Sequence, residues 1–331
     1  MIAFGGNDDV HASARAHAAR GEWGVVRSLL AGDAAAGREP ELLLLAAEAA
    51  MRVGLPREAS ERLRDGWAGL EGAADGAALR RACNLLGAAA FELGDLTESH
   101  RAFARALELA GADGDHLLVA RATNNLGAIA NLRGDRERAL THFQLAIPAY
   151  QQLGHTRGLA ESCHNIAIAY RDARRLEDAE DYERRAMEYA HESGSARVAA
   201  MARAGRAELS LLRGDPRLAE REATIAAEAH RRLEDPIGEA DALRLVGEAR
   251  IALGTIDAAM RAIDAAVNLA TAHGAALVRA EALRTRAGAH RVRGEARAAR
   301  DDARAALELF EQLGAIEERN RTAELLGSLG V

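Results

Sequence analysis

The sequence predicts an all-α solenoid of stacked antiparallel helix pairs, and three observations carry that prediction. Glycine stands at Gly54, Gly94, Gly134, Gly214, Gly254 and Gly294, on a forty-residue beat that only Arg174 breaks. Three series of tiny residues keep the same beat: Ala47, Gly87, Gly127, Ala167, Ala207, Gly247 and Ala287; then Ala59, Ser99, Ala139, Ala179, Ala219, Ala259 and Ala299; then Gly66, Ala106, Ala146, Ala186, Ala226, Ala266 and Ala306. Aromatic residues make up only 3% of a chain that is 49% hydrophobic, so Ala and Leu must fill the interior, which favours close helix–helix contact. A fixed period of this size marks an array in which no unit buries its apolar face alone.

The elements follow in order. Residues 1–8 are expected to be flexible. Residues 9–39 read as a short helical pair, with Gly21 as its turn and Trp23, Val26, Leu29 and Leu30 on its second helix. Residues 40–314 hold seven forty-residue repeats, and the third shows their logic. Leu117, Leu118, Leu126, Ile129 and Leu132 recur with a helical period, and Gly134 ends that helix. Asp135 is the natural N-cap of the next helix, which carries Ala139, Leu140, Phe143 and Ala146 and stops near Gly154. Equivalent stops stand at Gly114, Gly194, Gly274 and Gly314. Pro56 and Pro216 fall in first turns, where no N–H is missed, whereas Pro148 is expected to kink or shorten its helix. Residues 315–331 read as a capping helix, with Ile316, Ala323, Leu326 and Leu329 inward and Glu317, Glu318, Arg319 and Arg321 wet.

Composition narrows the function. The net charge of −7 and the scarcity of aromatics argue against nucleic acid as partner. All 43 basic residues are arginine, a usage that fits GC-rich coding. The first ten residues lack a basic region followed by an apolar stretch, and the apolar run 42–50 is short and contains Glu48, so neither secretion nor membrane insertion is expected. A cytoplasmic protein is the expectation. Cys83 and Cys163 share a slot two repeats apart; stacked helices lie roughly 8–10 Å apart, so the pair exceeds the roughly 7 Å Cα limit of a disulfide. Free buried thiols are expected. No nucleophile elbow, phosphate-binding loop or dinucleotide fingerprint occurs, and the eleven histidines show no metal-site spacing. Neither enzyme nor cofactor is expected. Arg-Gly-Asp at 133–135 and 213–215 is the repeat turn, not an adhesion signal.

Leu86–Gly87, Ser99, Phe103 and Ala106, and again Leu126–Gly127, Ala139, Phe143 and Ala146, resemble the tetratricopeptide repeat motif. The forty-residue period is similar to the long-helix variety in kinesin light chains and in the sensor regions of maltose-regulon-type activators. The resemblance spans about residues 40–312 and implies a right-handed superhelix. Arg206 and Arg286 replace the motif's Leu, and Ala223 and Ala303 its aromatic, so looser packing is expected there.

In that family the first helices line an inner groove. The resemblance places Arg81, Asn84, Arg121, Asn124, Asn125, Glu161, His164 and Asn165 on it, as the expected peptide- or protein-binding residues. An Asn amide offers both a donor and an acceptor, which suits the main chain of an extended segment. Arginine beside it selects acidic side chains or a carboxylate terminus. Asp241, Arg244, Glu248, Arg284 and Arg291, further along, read as a salt-bridge lattice. The leading expectation is a non-enzymatic scaffold that holds a peptide in its groove, with no nucleic acid or membrane partner and with homo-oligomerisation left open. The alternative is a sensor module that signals to a separate effector such as a transcription regulator.

Overall fold

A single turn chemistry, repeated from helix to helix, generates the architecture. The computed structural model describes residues 7–33, 37, 39–72 and 76–329. Most of the N-terminal stretch expected to be flexible lies outside the described residues. The described residues form helices and no strand, in two units, Met1–Gly114 and Asp115–Val331. The first unit contains α1 (Asn7–Ala19), α2 (Trp23–Leu30), α3 (Pro40–Arg52), α4 (Pro56–Asp65), α5 (Trp67–Glu71), α6 (Ala77–Glu92) and α7 (Leu96–Ala112). In the second unit follow α8 (His116–Leu132), α9 (Arg136–Gln152), α10 (Thr156–Asp172), α11 (Leu176–Glu192), α12 (Ala196–Leu212) and α13 (Pro216–Arg232). It continues with α14 (Pro236–Ala252), α15 (Ile256–Ala272), α16 (Ala276–Arg293), α17 (Ala296–Leu313) and α18 (Ile316–Ser328).

At the end of α8, Gly134 takes a φ of 84°, which glycine adopts without strain. There Gly134 N donates to Asn131 O and Asp135 N to Ala130 O, both at 2.9 Å, occupying carbonyls that a helix end leaves unpaired. Asp135 then caps α9, its Oδ1 accepting from Arg138 N at 3.2 Å. Arg174 makes the same exit with φ 61°, at a cost of roughly 1–2 kcal/mol for a residue with a Cβ. Glu234, φ 53°, is a second such position, in the gap that the series Gly114, Gly154, Gly194, Gly274 and Gly314 leaves.

Tiny residues let the paired helices meet. A Cβ added to Gly127 would stand 2.6 Å from Phe143 Cε1, and one at Gly87 2.7 Å from Phe103 Cδ1. The aromatic ring of the second helix therefore lies flat on backbone of the first. Ser99 adds a buried hydrogen bond, Oγ donating to Gly87 O at 2.8 Å. Where the motif's apolar anchor is absent, charge replaces it: Arg286 donates from Nε and Nη2 to the two oxygens of Asp302 at 2.7 and 2.8 Å, and to Asp264 at 3.1 Å.

Two details depart from expectation. Helix α9 runs unbroken through Pro148. The ring removes one N–H, but Pro148 is exposed, so water can serve the orphaned Gln144 carbonyl. The second helix of the first repeat is instead split at Gly66, a poor helix former whose missing Cβ leaves the space taken by the Leu43 methyls. Cys83 and Cys163 are buried and unbridged, and burial pushes each thiol up to about 11.

Two outcomes follow from this packing. Gly127→Ala should lower the unfolding free energy by about 1–3 kcal/mol in a urea titration, because Phe143 cannot retreat. Under native conditions at neutral pH, a disulfide reagent should label Cys83 and Cys163 far more slowly than in denaturant; rapid labelling of both would contradict the burial.

Candidate functional site

Consecutive first helices of the second unit, α8, α10, α12, α14 and α16, pack side by side. Polar side chains bridge α8 to α10, α10 to α12 and α14 to α16, and the Glu208 charge on α12 acts on Arg244 of α14. Asn131 Nδ2 on α8 donates to Asp172 Oδ2 on α10 at 3.2 Å. Arg171, also on α10, reaches Glu208 on α12 at 2.5 Å and Asp172 at 3.1 Å. Arg244 on α14 meets Asp241 at 2.7 Å, Glu248 at 3.3 Å and Glu281 on α16 at 3.6 Å. Arg284 on α16 pairs with Glu318 on α18. The steps join into a ladder of alternating charge.

Its electrostatics follow from burial and crowding. Burial opposes the charge on Arg171 and Arg244, but the surrounding carboxylates outweigh it and hold both guanidiniums charged. Glu281 goes the other way. Burial, with Asp241 and Glu208 as like-charged neighbours, outweighs Arg244 and raises its carboxyl to about 8.

Of the eight sequence-predicted residues, Arg81 and Asn84 lie on α6 in the first unit, and the other six on α8 and α10 in the second. Arg81 donates to both oxygens of Glu41 at 2.9 and 3.1 Å, and Asn84 is half-buried. Asn124 is buried, its Oδ1 accepting from Ser162 Oγ at 2.9 Å, so it ties α8 to α10 and faces no ligand. His164 is buried too, its Nδ1 lying 3.0 and 3.1 Å from the two oxygens of Glu183 on α11. Glu183 stands where the neighbouring repeats have Phe103 and Phe143, and Gly205 on α12 makes room for its carboxyl. Four residues remain on the accessible face. Arg121 is exposed, with Nη2 at 3.3 Å from His155 Nε2; Glu161 pairs with Arg157 at 2.9 Å; Asn125 and Asn165 are half-buried. Asn165 makes no side-chain hydrogen bond among the described residues.

On α18, Ile316 and Ala323, expected inward, are exposed, and Thr322 is buried instead. Sequence reasoning passed over Glu208 and Glu281 and placed Glu318 on the wet face of α18, yet these carboxylates join one helix to the next. Their signal was present: each acid lies 34–37 residues beyond an arginine on an inner helix, as Arg171 to Glu208, Arg244 to Glu281 and Arg284 to Glu318.

A tetratricopeptide repeat family model matches residues 78–152 and 120–192. Residues 78–192 carry tetratricopeptide repeats. No curated protein matches it in a sequence comparison. Among solved structures it is similar to a Rap protein complexed with competence and sporulation factor, at 14% identity and a TM-score of 0.64, over 98% of both chains. RapI in its apo form is similar at 14% identity and a TM-score of 0.58, over 83% of this chain and 98% of that one. The third is a signal-transduction ATPase with numerous domains and a tetratricopeptide repeat sensor, from Pyrococcus horikoshii. Its identity is 16% and its TM-score 0.53, over 81% of this chain and 42% of that chain. Repeats of this kind act as protein-interaction or regulatory scaffolds, generally without catalysis. No described helix is long and apolar enough to cross a membrane.

The His164–Glu183 pair makes stability depend on pH. Burial opposes charge on His164, but the Glu183 charge and hydrogen bond outweigh it and raise its pKa; burial raises Glu183 as well. Each group holds its proton more tightly folded than unfolded, so the stabilisation from His164 is complete below the ordinary imidazole value of 6.5 and is lost as pH rises through the raised folded value. The buried Glu183 and Glu281 carboxyls act in the same direction. The thermal midpoint should therefore fall as pH rises above 6.5, and fall less in Glu183→Gln. A midpoint that rises over this range would refute the assignment.

Proposed function

We propose that the protein is a non-enzymatic scaffold that holds an extended peptide segment against the face of α8, α10 and α12 in its second unit. The observation that carries the reading is the pair Asn125 and Asn165, at the same helical position on neighbouring inner helices, with the Asn165 amide spare. An amide presenting both a donor and an acceptor matches the C=O and N–H of a strand-like segment whatever its side chains. Arg121, exposed at the edge of the same face, supplies a charge for an acidic side chain or a carboxylate terminus. The neighbour complexed with competence and sporulation factor has a chain of this fold that holds a ligand.

A second reading, a sensor that passes ligand binding to a separate effector, draws on the charge ladder. Arg171 touches both the candidate face and Glu208 on the next inner helix, so a ligand that moves α10 must disturb α12. The Pyrococcus horikoshii neighbour carries its repeats as a sensor.

A panel of extended peptides of graded charge, with free and amidated C-termini, tests both readings by titration calorimetry. Acidic or carboxylate-ended peptides should bind. Asn125→Ala combined with Asn165→Ala should weaken the best of them by about 0.5–1.5 kcal/mol per amide lost, and Arg121→Ala by more, without loss of helicity. Unchanged affinity in these variants would move the site elsewhere.

A further inference from the structure

The two ends of the second unit touch. Arg136, in the first turn of α9, forms an ion pair with Glu317 in the first turn of α18, 181 residues on. A Cβ added to Gly134, in the α8–α9 turn, would stand 3.8 Å from the same carboxylate. Leu132 packs against the apolar cluster that contains Leu283, Phe310, Leu313 and Ala315. Glu318, next in sequence, is held by Arg284 and Arg321, whose charges outweigh burial and keep its carboxyl below the usual range. The Arg284 guanidinium in turn lies over the Phe310 ring, 5.3 Å from its centroid.

The Arg136–Glu317 pair and the Leu132 contact skip the helices between, whereas the other ion pairs described above for this unit join a helix to its neighbours along the array. A repeat array is a chain of neighbour interfaces, each able to flex a little, and small changes per step accumulate from end to end. A contact between the ends therefore sets the pitch of everything between them, α8 to α10 included. It is also of a kind that yields. Glu317 and Arg136 keep 34% and 30% of their side-chain surface exposed, so water and salt reach the pair. Among the described residues, the end of α8 contributes one apolar side chain to that cluster, Leu132, where ordinary neighbours share several.

We infer that the start of α18 is a releasable clasp: Glu317, held by Arg136, closes the second unit's array on itself, and its release lets the inner face widen. The clasp stands on contacts independent of the peptide reading, whose failure would leave it intact.

Charge reversal tests it in the full chain. Spin labels at Glu137→Cys and Glu324→Cys, both exposed positions, report the distance across the clasp, while the two native thiols stay buried. Arg136→Glu alone and Glu317→Arg alone should lengthen or broaden that distance by up to about one helix diameter, near 10 Å. Arg136→Glu combined with Glu317→Arg should bring it back. An unchanged distance in both single variants overturns the clasp, and so does a double variant that fails to restore it. If either single variant loses helicity, the labelled parent protein in low and in molar salt decides instead: lengthening with salt supports the clasp and a constant distance overturns it.

Discussion

A side chain of any size at residue 127 has nowhere to go, and the architecture hangs on that constraint. Phe143 lies on the backbone of Gly127, as Phe103 lies on Gly87, because nothing projects between ring and helix. Such approach turns two amphipathic helices into a hairpin with a shared interior of Ala and Leu and few large side chains. Within the second unit, Phe310, Leu283 and Ile263 belong to one cluster drawn from three successive helices, so a pair there is completed by its neighbour. A chain with so few aromatics spends them where a hairpin must be pinned.

Charge does the work that apolar contact leaves undone. Between the first helices, Arg171, Glu208, Arg244 and Glu281 meet through charge where Leu would serve an ordinary interface. A buried ion pair contributes little net stability, because desolvation offsets attraction. It does impose register, since a guanidinium displaced by one helical turn loses its carboxylates. The ladder is best understood as alignment of one inner helix against the next. His164 and Glu183 show the same principle inside a hairpin: an acid occupies an aromatic slot, a histidine meets it, and Gly205 vacates the space.

The candidate face sits beside this ladder and shares its members. Asn124 was spent on holding α8 to α10, whereas Asn125, one residue on, faces outward with Asn165. A surface built that way couples whatever it binds to the spacing of the helices beneath. The contact of α18 with the α8–α9 turn places a second control on the same spacing, from the far end of the unit.

Helix identity, turn positions and the small-residue contacts were legible in the sequence because they are local or periodic. A left-handed exit needs glycine, a cap needs Asp, and a close crossing needs Gly, Ala or Ser wherever the repeat returns. Exceptions were legible only as exceptions: Arg174 and Glu234 each fill the gap in a glycine series and take its left-handed conformation. Which groove residues face a ligand was decided by tertiary structure alone. Periodicity assigns Asn124 and Asn125 to one face, but Asn124 is buried against Ser162 of the neighbouring helix while Asn125 stays half-buried. The same holds for Glu317 and Arg136: 181 residues separate them, and only the accumulated pitch of the intervening helices brings their charges together.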